Sequence, residues 1–485
     1  MVQVTREALP VRVRIAPSPT GEVHLGTLAT AITNWLFARH YGGAFLVRIE
    51  DTDQERSSDA HRQLILDVLE WMHLLPDEEV VIQSQRLDVY KKEIKRLLLS
   101  ECAYYCACSP EELIERNKKR FDADYLFAGY DEHCRYRAIT KEEYPHAVIR
   151  FALPKDTPQT LVFDDIIRKQ MTMDKGQFDD FVIVRSDGMP LYNLAVVIDD
   201  YAMNISHVIR GEDHITNTFK QLLLYNAFGY TLPHFAHLPL ILGPGGDRLS
   251  KRDAATSVME YKKAGYLPDA LLNYLTRLGW AHGDQEIFTR QELIQLFALR
   301  DVGKKGSMFD LQKLNWVNAM HMRKLSPQDI WQMIVTTVVS DAHEKFSRWT
   351  EQQRYDFIAL YRDRVSTLRE LYKQLLYIHD APCSFEHDEK IDKFLAAKVL
   401  EDLRYRLTFK DWGVREDIKQ WVQSYCELKG CSMAMVARPI RVALVGEISA
   451  PGIIELLFLI GKEESLRRID TYIRYLRSRE KRIDA

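Results

Sequence analysis

Long apolar runs are missing from this chain: nothing in its 485 residues approaches the roughly 20 consecutive apolar residues of a membrane span. A transmembrane protein is therefore not expected. Cysteine is scarce too. Seven thiols, an odd number, do not suggest a disulfide framework, and a reducing cytoplasm is the expected compartment. The opening residues, Met1-Val-Gln-Val-Thr-Arg-Glu7, lack the apolar core of a secretory signal. Excess charge of either sign is also absent. With 66 Lys and Arg against 69 Asp and Glu, the chain does not advertise nucleic-acid binding, so any RNA surface has to be a local basic patch. A composition of 46% hydrophobic and 28% charged residues is that of an ordinary globular protein. The length suggests about three domains.

What is present is concentrated in the first forty residues. Val11, Val13 and Ile15 alternate with Arg12 and Arg14, whereas Leu28, Ala31, Ile32, Trp35 and Leu36 recur at helical spacing, so a strand feeds a helix through a Pro/Gly loop. Such a junction offers free backbone N–H groups and the positive end of a helix dipole to an anion at the carboxyl edge of a sheet. Gly21 and Gly26 let that anion approach the backbone, and His24 can donate to phosphate oxygens. The full string Ala16-Pro17-Ser18-Pro-Thr-Gly-x-x-His24-x-Gly26-Thr27 resembles the HIGH-type ATP signature of class I aminoacyl-tRNA synthetases in its glutamyl form, with Thr27 at the second His. The resemblance implies that Pro17, Gly26 and Thr27 contact ATP and that His24 is catalytic.

Ala44–Ile49 reads as a second strand ending in Glu50-Asp-Thr-Asp53. Acidic side chains there border the ligand crevice of an open α/β sheet or form a solvated turn. Arg48-Ile-Glu-Asp-Thr-Asp53 is similar to a glutamyl-branch signature in which Glu50 binds the substrate's amino group. Ser186 to Asp200 reads as the return of the sheet, and Val208-Ile-Arg210 as a further strand end, where a guanidinium suits bidentate recognition of a carboxylate. The resemblance assigns Ser18 to glutamate and Arg14, Tyr192 and Arg210 to its side-chain carboxylate. Neutral glutamine would leave such buried guanidiniums unpaired; relatives that use glutamine carry Cys at the place of Arg210. Some members have Asn where Val196 stands, so that contact does not carry over. Gly245-Gly-Asp-Arg248-Leu-Ser250-Lys251-Arg252 resembles the KMSKS loop, with Arg248 for the usual Lys. The loop implies ATP contacts from Arg248, Ser250, Lys251 and Arg252, and a catalytic role for Lys251.

Cys106-Ala-Cys108 and Cys134 are either reduced structural thiols or three ligands of a structural zinc, which needs a fourth. Some family members supply His two residues after the third Cys. Here Tyr136 occupies that place, and Tyr130, Tyr136 or His133 are the substitutes. Tyr261–Leu278 reads as helical, and beyond residue 327 strand patterns give way to apolar residues at three- and four-residue spacing.

The expected fold is therefore α/β: a Rossmann-type catalytic domain in two halves (1–104 and 189–242) split by an α+β insertion (105–188) for the acceptor end of tRNA. A stem-contact domain (243–326) and two helical anticodon-binding subdomains (327–384 and 385–485) follow. Family resemblance implies a ligase that joins ATP, with Mg²⁺, to L-glutamate and passes glutamate from the adenylate to the terminal adenosine of tRNA(Glu). Members generally need bound tRNA before activating glutamate. Arg364, expected on one helix with Arg362 and Arg369, matches the position that reads the third anticodon base, so discrimination against tRNA(Gln) is expected, from a monomer. Glutaminyl relatives end in β-barrels, a tRNA-modifying relative lacks the anticodon third, and an inactive paralogue would lose His24 or Lys251.

Overall fold

Strand β1 (Arg12–Ile15) runs into helix α1 (Leu25–His40) and on to β2 (Ala44–Ile49), as the spacing of apolar residues predicts. Val13, Ile15 and the α1 stripe Leu28, Ala31, Ile32, Trp35 and Leu36 are all buried. Arg14 is buried as well, because strands of a parallel sheet are covered on both faces. The computed structural model describes residues 10–53, 55–121, 129–247, 249, 257–386, 393–410, 412, 414–448 and 452–480.

Helix α2 (Asp59–Trp71) starts where the Ser58 side chain accepts from the His61 N–H, a cap that satisfies one orphan donor. Strand β3 (Val81–Ile82) and α3 (Leu87–Leu99) come next, then β4 (Ala103–Cys106), α4 (Pro110–Phe121), β5 (Val148–Phe151), β6 (Thr160–Asp165), β7 (Lys169–Asp174) and β8 (Val182–Val184). Helix α5 (Tyr192–Ala202), β9 (His207–Gly211), α6 (Ile215–Phe228) and β10 (His234–Leu238) bring the chain back.

β1, β2 and β3 pair in parallel. β10 pairs in parallel with β9 and β6, and β7 closes that run antiparallel. The two runs adjoin where the Ser206 N–H donates to Arg12 O at 2.9 Å. From β1 the chain leaves through α1 to β2; from β9 it leaves through α6 to β10, on the other side. Open α/β sheets bind ligands at such a switch point, outside the strands' carboxyl ends. β4, β5 and β8 form a separate antiparallel sheet. The β6–β7 hairpin lies between them in sequence, yet β6 pairs with β10 and so extends the larger sheet.

Two expectations change. Ser186–Asp200 does not rejoin the sheet as a strand, because Tyr192–Ala202 is helix α5. Every residue from Leu194 to Asp200 is buried, and a helix covered all round shows no period that separates it from a buried strand. Tyr261–Leu278 is helical as expected, in two pieces, α7 (Val258–Ala264) and α8 (Pro268–Gly279). Gly265 between them takes φ +82°, and a Cβ there would meet the Arg369 backbone at 2.6 Å; Pro268 then opens α8, where its missing N–H costs nothing.

A short parallel pair, β11 (Ile241–Leu242) and β12 (Ser307–Met308), precedes and follows α9 (Arg290–Leu296), and α10 (Leu311–Lys324) leads to the C-terminal region. There, among the described residues, only helices occur: α11 (Pro327–Met333), α12 (Ala342–Lys345), α13 (Glu351–Tyr361), α14 (Leu368–His379), α15 (Lys393–Thr408), α16 (Arg415–Lys429), α17 (Met433–Val445), α18 (Ile453–Ile460) and α19 (Lys462–Glu480). The second correction is that Arg364 does not share a helix with Arg369. It ends a 3₁₀ turn, Arg362–Arg364, between α13 and α14. Two units result, Met1–Tyr261 with Leu267–Val317 and Lys262–Tyr266 with Asn318–Ala485.

Candidate active site

A cavity of about 810 Å³ opens at the carboxyl ends of β1, β2, β9 and β10. Pro17 and Ser18 line it from the loop after β1, and His24, Gly26 and Thr27 from the start of α1. The loop is tied down where the Glu50 N–H donates to Pro17 O at 3.0 Å. His24 is the N-cap of α1, and no acidic residue occupies the first turn, so the dipole there is left for an anionic ligand. Of the basic loop, Leu249 lines the cavity, whereas Arg248, Ser250, Lys251 and Arg252 lie outside the described residues.

One end of the cavity is a set of buried charges. Arg14, Glu50, Tyr192 and Arg210 all line it. Arg14 already has a partner: its Nε and Nη2 donate to the two Asp200 oxygens at 2.9 and 3.2 Å. Arg48, wholly buried, donates to the same Asp200 at 2.6 Å and to Glu50 Oε1 at 3.1 Å. Burial raises the Asp200 carboxyl but the two guanidiniums outweigh it and hold it at about 2. For Glu50 burial wins over Arg48 and Arg14, and its pKa is raised. That is the state of a carboxylate short of one cation, and an ammonium group would supply it. Asp199, next on the same helix, accepts from Gln83, Arg86 and Tyr90.

Arg210 is held differently. Its acceptors are the Tyr192 hydroxyl at 3.3 Å, Thr218 Oγ1 and Gln221 Oε1 at 2.7 Å each, and His237 Nε2 at 3.4 Å, none of them a carboxylate. Burial accordingly lowers its pKa from the arginine value. A buried guanidinium satisfied by neutral acceptors is poised for an anion.

Outside the cavity, the Sγ atoms of Cys106, Cys108 and Cys134 lie within 4.8 Å of one another. Tyr130 joins them, its hydroxyl 3.3 Å from Cys106 Sγ and 3.8 Å from Cys108 Sγ. His133 instead meets Arg116, and Tyr136 is exposed. Burial raises the Cys106 thiol, but hydrogen bonds to Tyr130 and Arg150 bring it below its ordinary value, while burial and Cys134 push Cys108 up to about 12. Three sulfurs this close are compatible with a Zn²⁺ site that needs a fourth donor; the Tyr130 hydroxyl beside them accepts the Cys134 N–H at 2.9 Å, and burial raises its pKa.

Residues 10–316 match the family model of class I tRNA synthetases (E and Q), catalytic domain, and 331–473 match that of an anticodon binding domain. The glutamate–tRNA ligase of Syntrophobacter fumaroxidans is 43% identical over 96% of this chain and 98% of its own length. The chain belongs to the glutamate–tRNA ligase family. A ligase of Syntrophus aciditrophicus is 42% identical over the same shares of both chains. The crystal structure of a glutamate–tRNA ligase from Elizabethkingia meningosepticum in complex with its amino acid superposes with a TM-score of 0.84, at 33% identity, over 96% of this chain and all of that one. Against this family background, the residues that sequence reasoning missed are the supports: Asp200 and Arg48 behind Arg14, and Thr218, Gln221 and His237 behind Arg210. Their one visible signal was Asp199-Asp200 inside an apolar run, since acidic residues there must be paired.

Proposed function

We infer that the chain is a glutamate–tRNA ligase of class I, activating L-glutamate with ATP and transferring it to tRNA. The observation that carries the substrate reading is Arg210: a buried cation with neutral partners lining a cavity that Glu50 also lines. In this reading the glutamate side-chain carboxylate meets Arg210 and Tyr192, with Arg14 and Ser18 alongside, and the amino group meets Glu50. The α-carboxylate then attacks the α-phosphorus of Mg²⁺-bound ATP. His24, the first N–H groups of α1 with Gly26 and Thr27, Pro17 and the loop residues Arg248, Ser250, Lys251 and Arg252 bind the nucleotide; charge on the departing pyrophosphate is taken by Lys251. Such phosphoryl chemistry is driven by positioning and charge stabilisation.

The finer assignments belong to the same proposal. Residues 105–188 take the acceptor end of tRNA, 243–326 its stem, and 327–384 and 385–485 the anticodon arm, where Arg364 reads the third anticodon base and rejects tRNA(Gln). A structural Zn²⁺ is held by Cys106, Cys108, Cys134 and Tyr130. The enzyme works as a cytoplasmic monomer; no described helix is long and apolar enough to cross a membrane. Glutamate-dependent ATP–pyrophosphate exchange with and without tRNA tests the reading. Exchange with glutamate and tRNA together is expected, and none with any amino acid would overturn it.

A further inference from the structure

Behind Arg210, on the side away from the cavity, stands a buried pair that the ligation reaction has not used. His237 on β10 and Asp165 at the end of β6 are both wholly enclosed, with His237 Nδ1 2.7 Å from Asp165 Oδ2. The other oxygen, Asp165 Oδ1, accepts from the N–H groups of Ile167 and Arg168 at 2.9 and 2.8 Å. An oxygen fixed by two backbone donors leaves Oδ2 to accept from His237, so the imidazole proton sits on Nδ1. Nε2 is then a bare acceptor. It faces Thr218 Oγ1 at 2.9 Å and the Arg210 Nε–H at 3.4 Å, while Thr218 Oγ1 accepts from Arg210 Nη2 at 2.7 Å. Thr218 Oγ1 also lies 3.2 Å from His214 O, so its one proton has two acceptors; with that proton on the nearer, His237 Nε2, the hydrogen bonds run from Arg210 toward Asp165.

We propose that Asp165 and His237 are positioning residues for amino-acid selectivity, holding a neutral acceptor against Arg210 so that its charge is kept for the substrate's side-chain carboxylate. The proposal rests on reading Arg210 as the group that meets that carboxylate. A carboxylate in the place of His237 would neutralise Arg210 outright, as Asp200 does Arg14, and an amide ligand would then lose less on entering. With the negative charge one ring further back, the guanidinium stays buried and charged, yet its outer edge remains short of an anion.

Asp165→Asn tests this sharply. The two backbone donors keep the amide oxygen at the Oδ1 position, which turns the new NH₂ toward His237 Nδ1, moves the ring proton to Nε2 and aims an N–H at Arg210. The expected result is a glutamate KM raised on the order of tenfold, the size of one buried hydrogen bond to a charged group, with the ATP KM and the inhibition constant of L-glutamine as competitor unchanged. His237→Leu should do the same, and His237→Gln, which can present an amide oxygen near Nε2, should recover most of the loss. If Asp165→Asn does not fold, Thr218→Val removes the hydroxyl between the two groups and should raise the glutamate KM alone. Parallel changes in the glutamate and ATP KM values, or an unchanged glutamate KM in a folded variant, would overturn the proposal. Failure of the underlying reading looks different: Arg210→Cys would then leave glutamate activation intact.

Discussion

Two arginines approach the same end of the cavity, but their surroundings make them unequal. Arg14 is neutralised by Asp200, whereas Arg210 has only neutral acceptors. Arg210→Cys is therefore expected to lower kcat/KM for glutamate by about 2 to 5 kcal/mol, the usual cost of removing one partner of a desolvated charge pair; steady-state charging of tRNA measures it, and parental kinetics would refute the role. Asp200 makes the complementary case for stability. Its carboxyl is held at about 2 in the fold, below the roughly 3.9 of an unfolded chain, so its contribution is fully present above pH ~4 and is lost as pH falls toward ~2. Asp200→Asn should remove this acid-dependent increment and cost about 3 to 5 kcal/mol at neutral pH, because Arg14 loses its carboxylate and Arg48 keeps only Glu50 and Asp199. Denaturant melts at neutral and acid pH would show it; a variant as stable as the parent at both would mean that the pair carries no weight.

At the scale of elements, the legible ones were those whose apolar residues keep a recognisable spacing or run. β1 announces itself by Val11, Val13 and Ile15 alternating with arginines, β2 by a short apolar run ended by acidic residues, and α1 and the C-terminal helices by apolar residues recurring every three or four positions. Helix α5 did not, since Leu194 to Asp200 are covered on every side. The Asp165–His237 pair had no local signal at all: its members lie 72 residues apart, and only the pairing of β6 with β10 joins them. The cysteine cluster was half legible. Sequence offered three thiols and three candidates for a fourth ligand, and the fold brings Tyr130 to them while turning His133 to Arg116. Purified protein is expected to carry about one zinc per chain, and Cys106→Ser or Tyr130→Phe to carry less, because a closed tetrahedral site needs all four donors. Elemental analysis decides this, and zinc far below one equivalent in the parent would remove the metal from the account.

Across the whole molecule, the proposed function divides the choice of substrate between the two units, since Arg210 belongs to one and Arg364 to the other. The second half of that division was the least legible, because three nearby arginines in a sequence look like one solvated face. The structure separates them. Arg362 donates to Leu325 O at 2.7 Å and Arg369 to Lys263 O at 2.6 Å, so both are tied to distant backbone carbonyls, whereas Arg364 is exposed beside the Tyr361 ring. An exposed guanidinium next to an aromatic face suits an unstacked base. Glutamate anticodons end in C and glutamine anticodons in G. A guanidinium has donors only, which match the N3 and O2 acceptors of C but confront the N1–H and N2–H₂ donors of G. A penalty of about 1 to 3 kcal/mol for G, the usual size of a wrong-base contact, is expected in kcat/KM for tRNA(Gln) relative to tRNA(Glu). Arg364→Gln should reduce that penalty, since an amide both donates and accepts, without changing the glutamate KM. Charging of the two tRNA transcripts by parent and variant measures both numbers, and equal charging of the two by the parent would remove Arg364 from the reading of the anticodon.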